Sequence, residues 1–581
     1  MNRNRYRLVF NAASGMRVPV AETARRRSKT ASGPALALAG VLLTGPAGAE
    51  LPVPGTGGGI PDFVTAGQAS YQINGTQAYV NQVGGKAILN WQSFNLSPGH
   101  SVQFRQVENL ATNKLVQGAN FTSLNRIWDM NPSVIAGSIS QAAGQKANVI
   151  LVNANGIAFM NGSQVNLNSF TASTLNMQDR FLDTFLPQGE SQPQFENALD
   201  GSAARGFVKV MDGARITAGS QGRVMLIAPT VVNRGTVAAP DGQVIAAAAS
   251  RVYLRSGGDT LNGLLIEVDS PAGLSDADTP NAGVRDGQLD GQTVRLTDAA
   301  EDRLGHVANF GELTTPRGNV TMVGYAVNQQ GIARATTSVV AGGSVYLLAK
   351  DTATNVATNT PGSTRAGRVT LGANSLTEVL PETGDTATTQ DGAAGTGLEQ
   401  PSRVRVLGQD VRIEGSDGDG RPGARIVAPS GVVELLAVDN PNSDYFNGLT
   451  TDIFTGGSAA SATARLHIGG GAHIDVSGLR GVEVSANRSV VEVELRGDEL
   501  KDSPLNQIGP LRGQKIYIDV DRMLAESDAG QPTLVARDTL LGLKAQQQRT
   551  VAERSTAGGT VRIASRGEAV VESGAAVHLS G

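Results

Sequence analysis

Residues able to do chemistry are few and scattered along this chain of 581 residues. The five histidines, His100, His306, His467, His473 and His578, do not fall in a metal-binding spacing with other ligands. Asp417-Gly418-Asp419-Gly420 looks like a fragment of a calcium loop. A calcium loop of that type needs a bidentate glutamate further on, and the position holds Ala428, so the segment reads as a plain turn. Gly57-Gly58-Gly59 is followed by neither the lysine nor the helix start of a phosphate loop. No Gly-x-Ser-x-Gly elbow is present, and cysteine is absent. The expectation is therefore no catalytic residue, no cofactor and no metal. One enzymatic alternative stays open. Parallel β-solenoid polysaccharide lyases and hydrolases cluster carboxylates with Arg or Lys on one face. Here Asp and Glu concentrate in polar inserted segments.

The elements that would position any such groups are short and β-rich. Between Asn125 and Leu175, Asn148-Val149-Ile150-Leu151-Val152 leads into Asn153-Ala154-Asn155-Gly156-Ile157, followed by Ala158-Phe159-Met160. Asn161-Gly162 makes another turn before Gln164-Val165-Asn166-Leu167. Asn and Gly suit such corners because they tolerate positive φ. Locally this pattern also describes an antiparallel hairpin. Repetition favours a coil. Gly222-Arg223-Val224-Met225-Leu226-Ile227-Ala228 recurs from Gly242, and further versions start at Gly318, Gly343, Gly431 and Gly559. The partner Val231-Val232-Asn233-Arg234-Gly235 returns at Val307-Ala308-Asn309-Phe310-Gly311. A spacing of 20 residues between Gly222 and Gly242 suits one solenoid turn. The expected fold is all-β, a right-handed parallel β-helix with an N-terminal cap, hairpin or loop excursions, and side-chain amide ladders at its corners.

Segments 255–300 and 351–402 read as long polar loops or disorder, and 438–465 as another loop. Asp179 can cap a short helix carrying Phe181, Leu182, Phe185 and Leu186 and ended by Pro187. Leu540 to Arg554 is a later helix candidate, and Val490–Leu495 and Lys515–Val520 read as strands. The 72 glycines and 4% aromatics suit a narrow stacked core, and a net charge of −4 gives no reason to expect nucleic acid.

Several pieces in order resemble a known family. They are Asn90-Trp91-Gln92-Ser93-Phe94-Asn95, then Asn131-Pro132-Ser133-Val134-Ile135-Ala136-Gly137, then Ala147 through Phe159. Together they are similar to the N-terminal secretion domain of two-partner-secretion exoproteins, the filamentous-haemagglutinin family. That family usually carries Asn-Pro-Asn-Gly-Ile where this chain has Asn153-Ala154-Asn155-Gly156-Ile157. Its Asn-Pro-Asn-Leu motif is echoed in part by Asn131-Pro132-Ser133-Val134. The resemblance implies an exoprotein exported by an outer-membrane β-barrel transporter with periplasmic domains, and an adhesin by end use. It points to Asn131, Pro132, Asn153, Asn155, Gly156 and Ile157 as the secretion motif. The lack of cysteine fits a chain that crosses a pore unfolded, and equally fits simple compositional drift.

Residues 1–49 read as a targeting segment. Arg3, Arg5, Arg7 and Arg25-Arg26-Arg27 precede the apolar run Ala35–Leu43, and Ala47-Gly48-Ala49 supplies the small-residue cleavage pattern at Ala47 and Ala49. The part from Tyr6 to Arg27 resembles the extended signal-peptide region of large exported Gram-negative proteins, so the mature chain is expected to begin at Glu50. The domains expected are thus an extended signal peptide at 1–49, a secretion domain at 50–255, and continuing repeats with polar insertions at 256–581. Gly574–Gly581 mirrors Gly471–Gly478, so the sequence is expected to stop inside a repeat of a longer protein. The destination that the resemblance implies is the surface of a Gram-negative bacterium or its medium, reached through the periplasm. A receptor on a host or bacterial surface is implied without being named, and a stalk bearing a contact-dependent toxin is a further alternative.

Overall fold

The structure is a computed structural model. It describes residues 6–11, 16–21, 50–183, 192–256, 264–339, 341–352, 367–390, 401–417, 419–438, 463–485, 487–494, 510, 512–533 and 535–581. The chain divides into two units, Met1–Pro46 and Ala47–Gly581. In the first, Tyr6–Asn11 pairs antiparallel with Met16–Ala21.

The second unit is a parallel β-helix. Each coil has three strands, as in Arg223–Ala228, Thr230–Asn233 and Thr236–Ala238, after which Gln243–Ala248 begins the next coil. Strands joined by a corner do not pair with each other. They pair in parallel with the coils before and after: Arg223 faces Gln243, Thr230 faces His306 and Thr236 faces Glu312. The glycine repeat is therefore one coil long where no insertion intervenes. Its cause is steric: a Cβ on Gly242 would lie 1.8 Å from the Gly222 carbonyl oxygen, and one on Gly318 would lie 2.2 Å from that of Gly242. Only residues without a side chain stack so closely.

The interior is filled by alternate side chains such as Val224, Leu226 and Ala228, then Val244, Ala246 and Ala248. The other alternate set on this face, Met225, Ile227, Ile245 and Ala247, is buried as well. An antiparallel sheet of Asn176–Met177, Phe195–Glu196, Arg251–Ser256 and Leu264–Asp269 lies over it. These strands consequently read as unbroken apolar runs instead of alternating ones. At the N-terminal end, Val64–Asn74 pairs antiparallel with the long strand Gln77–Ser93. That strand in turn pairs in parallel with Ser101–Val107 and Asn120–Ile127. The cap so formed turns an open sheet end into the template for the first coils. Trp91 sits at its centre, with Phe63, Tyr71 and Phe94 edge-on at 5.0 to 5.2 Å between ring centroids.

Some expectations need correction. Segment 255–300 is not simply loop: it carries the hairpin of Arg251–Ser256 with Leu264–Asp269 and a second hairpin of Gly287–Leu289 with Gln292–Val294. Leu264, Ile266 and Val268 alternate inward, a short apolar pattern framed by polar residues. Within 351–402, Arg368–Leu371 and Leu376–Pro381 are coil strands. The expected helix over Leu540–Arg554 is two helices, Arg537–Ala545 and Val551–Arg554, because Thr550 and Glu553 form a capping box between them. Val520 begins a helix, Val520–Asp528, instead of ending a strand, since the Asp519 side chain accepts from the Arg522 N–H. Helices Val520–Asp528 and Arg537–Ala545 pack with the antiparallel pair Val490–Glu494 and Lys515–Asp519 around Val493, Ile518, Leu524 and Leu540. The helix expected after Asp179 is observed as Arg180–Asp183, with Phe181 buried. Phe185, Leu186, Pro187 and most of 438–465 lie outside the described residues.

Candidate functional site

Strand Lys146–Asn153 ends at the corner that the sequence singles out. Asn153 is fully buried. Its amide donates to the Asn131 carbonyl at 3.1 Å and to the Ser133 hydroxyl at 3.0 Å, both on the preceding coil. Its Oδ1 accepts the Asn155 backbone N–H at 2.9 Å, an Asx-turn, and its carbonyl accepts the Gly156 N–H at 3.1 Å. The Asn155 amide donates to the Asp129 carbonyl at 2.8 Å. Gly156 has φ +130°, and a Cβ there would meet the Phe207 ring at 2.7 Å. Its carbonyl accepts the Ser133 N–H, so the corner is also tied by backbone. Ile157 then enters the next face, buried and flanked in parallel by Ser133 and Val208. Pro132 is buried, whereas Asn131 and Met130 are exposed.

The structure thus brings Asn131, Pro132, Asn153, Asn155, Gly156 and Ile157 together across two coils. Ala47 and Ala49 lie outside the described residues. Asp129 beneath the corner has its carboxyl raised by burial, partly offset by hydrogen bonds from Asn131 and Met130.

The expected amide ladder is found at a different corner. The Asn233 amide donates to Asn309 Oδ1 at 2.8 Å, and the Asn309 amide donates to Gln329 Oε1 at 2.7 Å, with all three residues buried. Shallower on the surface, Asn168 donates to Asn148 and Asn148 to Asn120, at 2.8 and 2.9 Å. At Asn153 a serine and a carbonyl take the place of the stacked amide.

Sequence reasoning missed several buried polar contacts. Asn125 accepts the Trp91 indole N–H at 3.0 Å, and Asn95 accepts the Val134 N–H at 2.9 Å. Lys209 and Asp302 form a buried ion pair at 2.6 Å, and Lys350 and Glu267 another at 3.2 Å. The ion-pair partners are far apart in sequence, and no local pattern joins them.

The histidines are dispersed. His306 is half-buried, and desolvation pushes its imidazole down to about 4. His473 and His578 lie 4.7 Å apart between centroids with their rings tilted by 39°, and His467 lies 3.1 Å from Glu572. Among the described residues no group of three or more His, Asp or Glu is placed to hold a metal ion. Asp417 accepts the backbone N–H groups of Asp419 and Arg421, as a turn does; Gly418 lies outside the described residues.

Comparison with known proteins gives this geometry its context. Residues 55–310 match the family described as the TPS secretion domain, and residues 1–49 match the extended signal peptide of the type V secretion system. The capped β-helix with its corner is thus the front end of an exported protein of Gram-negative bacteria. The chain carries the N-terminal secretion domain of two-partner-secretion exoproteins behind an extended signal peptide, which indicates export through the periplasm and an outer-membrane partner transporter to the surface or medium. The crystal structure of the HMW1 secretion domain from Haemophilus influenzae is similar over 76% of this chain and 85% of that one, at 18% identity and a TM-score of 0.45. No curated protein matches the sequence.

Proposed function

We propose that the corner at Asn131, Pro132, Asn153, Asn155, Gly156 and Ile157 is the export determinant, and that the exported rod serves as an adhesin for host cells or neighbouring bacteria. The reading is supported by one contrast within the corner. Asn153 is buried with its amide fully used, while Met130 and Asn131 beside it are exposed, Met130 to 76%. A buried amide fixes the shape, and an exposed rim is available to the transporter's periplasmic domains. Strand addition is the mode of contact with those domains. Past the pore, each coil pairs with the one before it and folding proceeds along the rod without a bound energy source.

Export is measured as full-length protein in the medium against protein retained in the periplasm. Asn153→Ala and Asn155→Ala are expected to lower export several-fold by loosening the corner. Met130→Ser and Asn131→Ser are expected to lower it while leaving the folded stability unchanged. Native export of all four variants would refute the determinant. Adhesion is tested separately, by binding of the purified exoprotein to cells. Absence of any binding would leave the export reading intact and remove the end use.

A further inference from the structure

Glu50 follows directly on the segment matched as signal peptide, and the cap holds it at every polar group. Its backbone N–H donates to Ser97 Oγ at 2.8 Å and to Asp290 Oδ1 at 3.2 Å. Its carbonyl accepts the Ser97 N–H at 3.1 Å. Its carboxylate accepts the Asn95 amide at 3.0 Å, and Asn95 in turn accepts the Val134 N–H. Ser97 is buried, and its hydroxyl donates to Asp290 Oδ1 at 2.5 Å.

Asp290 comes from far along the chain, at the tip of the hairpin of Gly287–Leu289 with Gln292–Val294. The tip is firmly placed. Leu289, Val294 and Leu296 are buried against Val134, Ala158 and Phe207 of the coils, and Asp290 takes φ +53°. Among the described residues its carboxylate has two partners, the Ser97 hydroxyl and the Glu50 N–H, and no cationic side chain. Both partners are neutral while Glu50 is in peptide linkage.

Cleavage changes this. Water adds across the Ala49–Glu50 bond: the C–N bond breaks, Ala49 leaves with a carboxylate, and Glu50 keeps the nitrogen as an ammonium. The single amide hydrogen shared between Ser97 and Asp290 becomes three donors with a full positive charge, at the same place. Hydrogen bonds between ionised groups are about twice as strong as neutral ones.

We infer that Ser97 and Asp290 form a binding site for the protein's own α-ammonium, filled only after signal-peptide removal, which fastens the mature N-terminus to a hairpin tip 240 residues later. The site closes the secretion domain on itself. The hairpin can reach Glu50 only once the coils that carry it are stacked, so the latch engages late in folding. This goes beyond the export determinant and does not depend on it.

The test uses protein recovered from the medium. Intact mass is expected to give Glu50 as the first residue. Amide hydrogen exchange of segment 287–294 is expected to be roughly tenfold faster in Asp290→Asn, the equivalent of about 1.4 kcal/mol; asparagine keeps the positive-φ turn. Ser97→Ala is expected to act in the same direction. Selective acetylation of the α-amine is expected to accelerate exchange in the native protein and to change nothing further in Asp290→Asn. A purely structural role for Asp290 would leave the native protein insensitive to acetylation, and that result overturns the inference. A mature chain starting elsewhere than Glu50 also overturns it. The amount exported, measured alongside, is expected to be unchanged in Asp290→Asn, which separates this site from the export corner.

Discussion

At the scale of the residue, the corner and the amide ladder obey one rule: a buried polar group is tolerated when every valence is met. Asn153→Ala would strand the Asn131 carbonyl, the Ser133 hydroxyl and the Asn155 N–H together. A loss of about 3 kcal/mol is expected, measured by denaturant unfolding, since each unmet buried group costs roughly 1–3 kcal/mol. An unchanged midpoint would mean water replaces the amide. His306 gives the pH dependence. The unfolded imidazole takes its proton near pH 6.5, whereas the folded one resists down to about 4. Between these values the unfolded chain binds more protons, so stability falls on acidification through that window and levels off below it. Burial is the main cause, with Arg303 and Arg368 opposing the proton and Asp278 favouring it. The full effect is about 3 kcal/mol, at 1.36 kcal/mol per unit. His306→Gln should flatten the stability profile between pH 6.5 and 4, as followed by chemical denaturation at each pH.

At the scale of the element, the coil strands were legible from the sequence and the excursions largely were not. Glycines such as Gly222 and Gly242 announce their coil because stacking leaves no room for a side chain, and that constraint is written in residue type. The corner was legible as a turn because Asn and Gly suit such a conformation, whereas its reading as a secretion motif came from the family resemblance. The hairpin of Arg251–Ser256 with Leu264–Asp269 left no comparable mark, since what it covers, Met225, Ile227 and Ile245, belongs to other strands. Nor did Lys209 point to Asp302. Lys209 lies on the coil strand Phe207–Val210 and donates also to the Leu296 carbonyl, so it pins the 270–305 excursion from below. Removing one partner of a buried pair strands the other charge, at a cost of about 3–5 kcal/mol. Lys209→Met is therefore expected to expose the excursion to protease. Lys209→Met combined with Asp302→Leu is expected to recover much of the native resistance, because the isolated carboxylate is gone. A double variant as labile as the single one would show that the ion pair itself is indispensable there.

At the scale of the whole molecule, stability and folding follow from stacking in one dimension. The strands of each coil pair only with the coils before and after it, so a fault in one coil is felt first on both sides of it. Gly242 is a point where that can be measured. Its added Cβ would lie 1.8 Å from the Gly222 carbonyl oxygen, and Gly318 stacks on it from the other side. Gly242→Val should split the rod. Coils before residue 222 keep the aromatic cluster around Trp91 and the hydrogen bonds of Asn153, none of which involves a residue beyond 222. Coils beyond lose the template on which Gln243–Ala248 and then Asn319–Gly324 build. Limited proteolysis of the variant is expected to leave an N-terminal fragment ending near residue 220 that outlasts the later coils, though it is less resistant than in the native chain because the later excursion no longer covers Phe207 and Lys209. Uniform loss of resistance from cap to last coil would mean that the rod folds as a single cooperative body, and the coil-by-coil account of its assembly would fail.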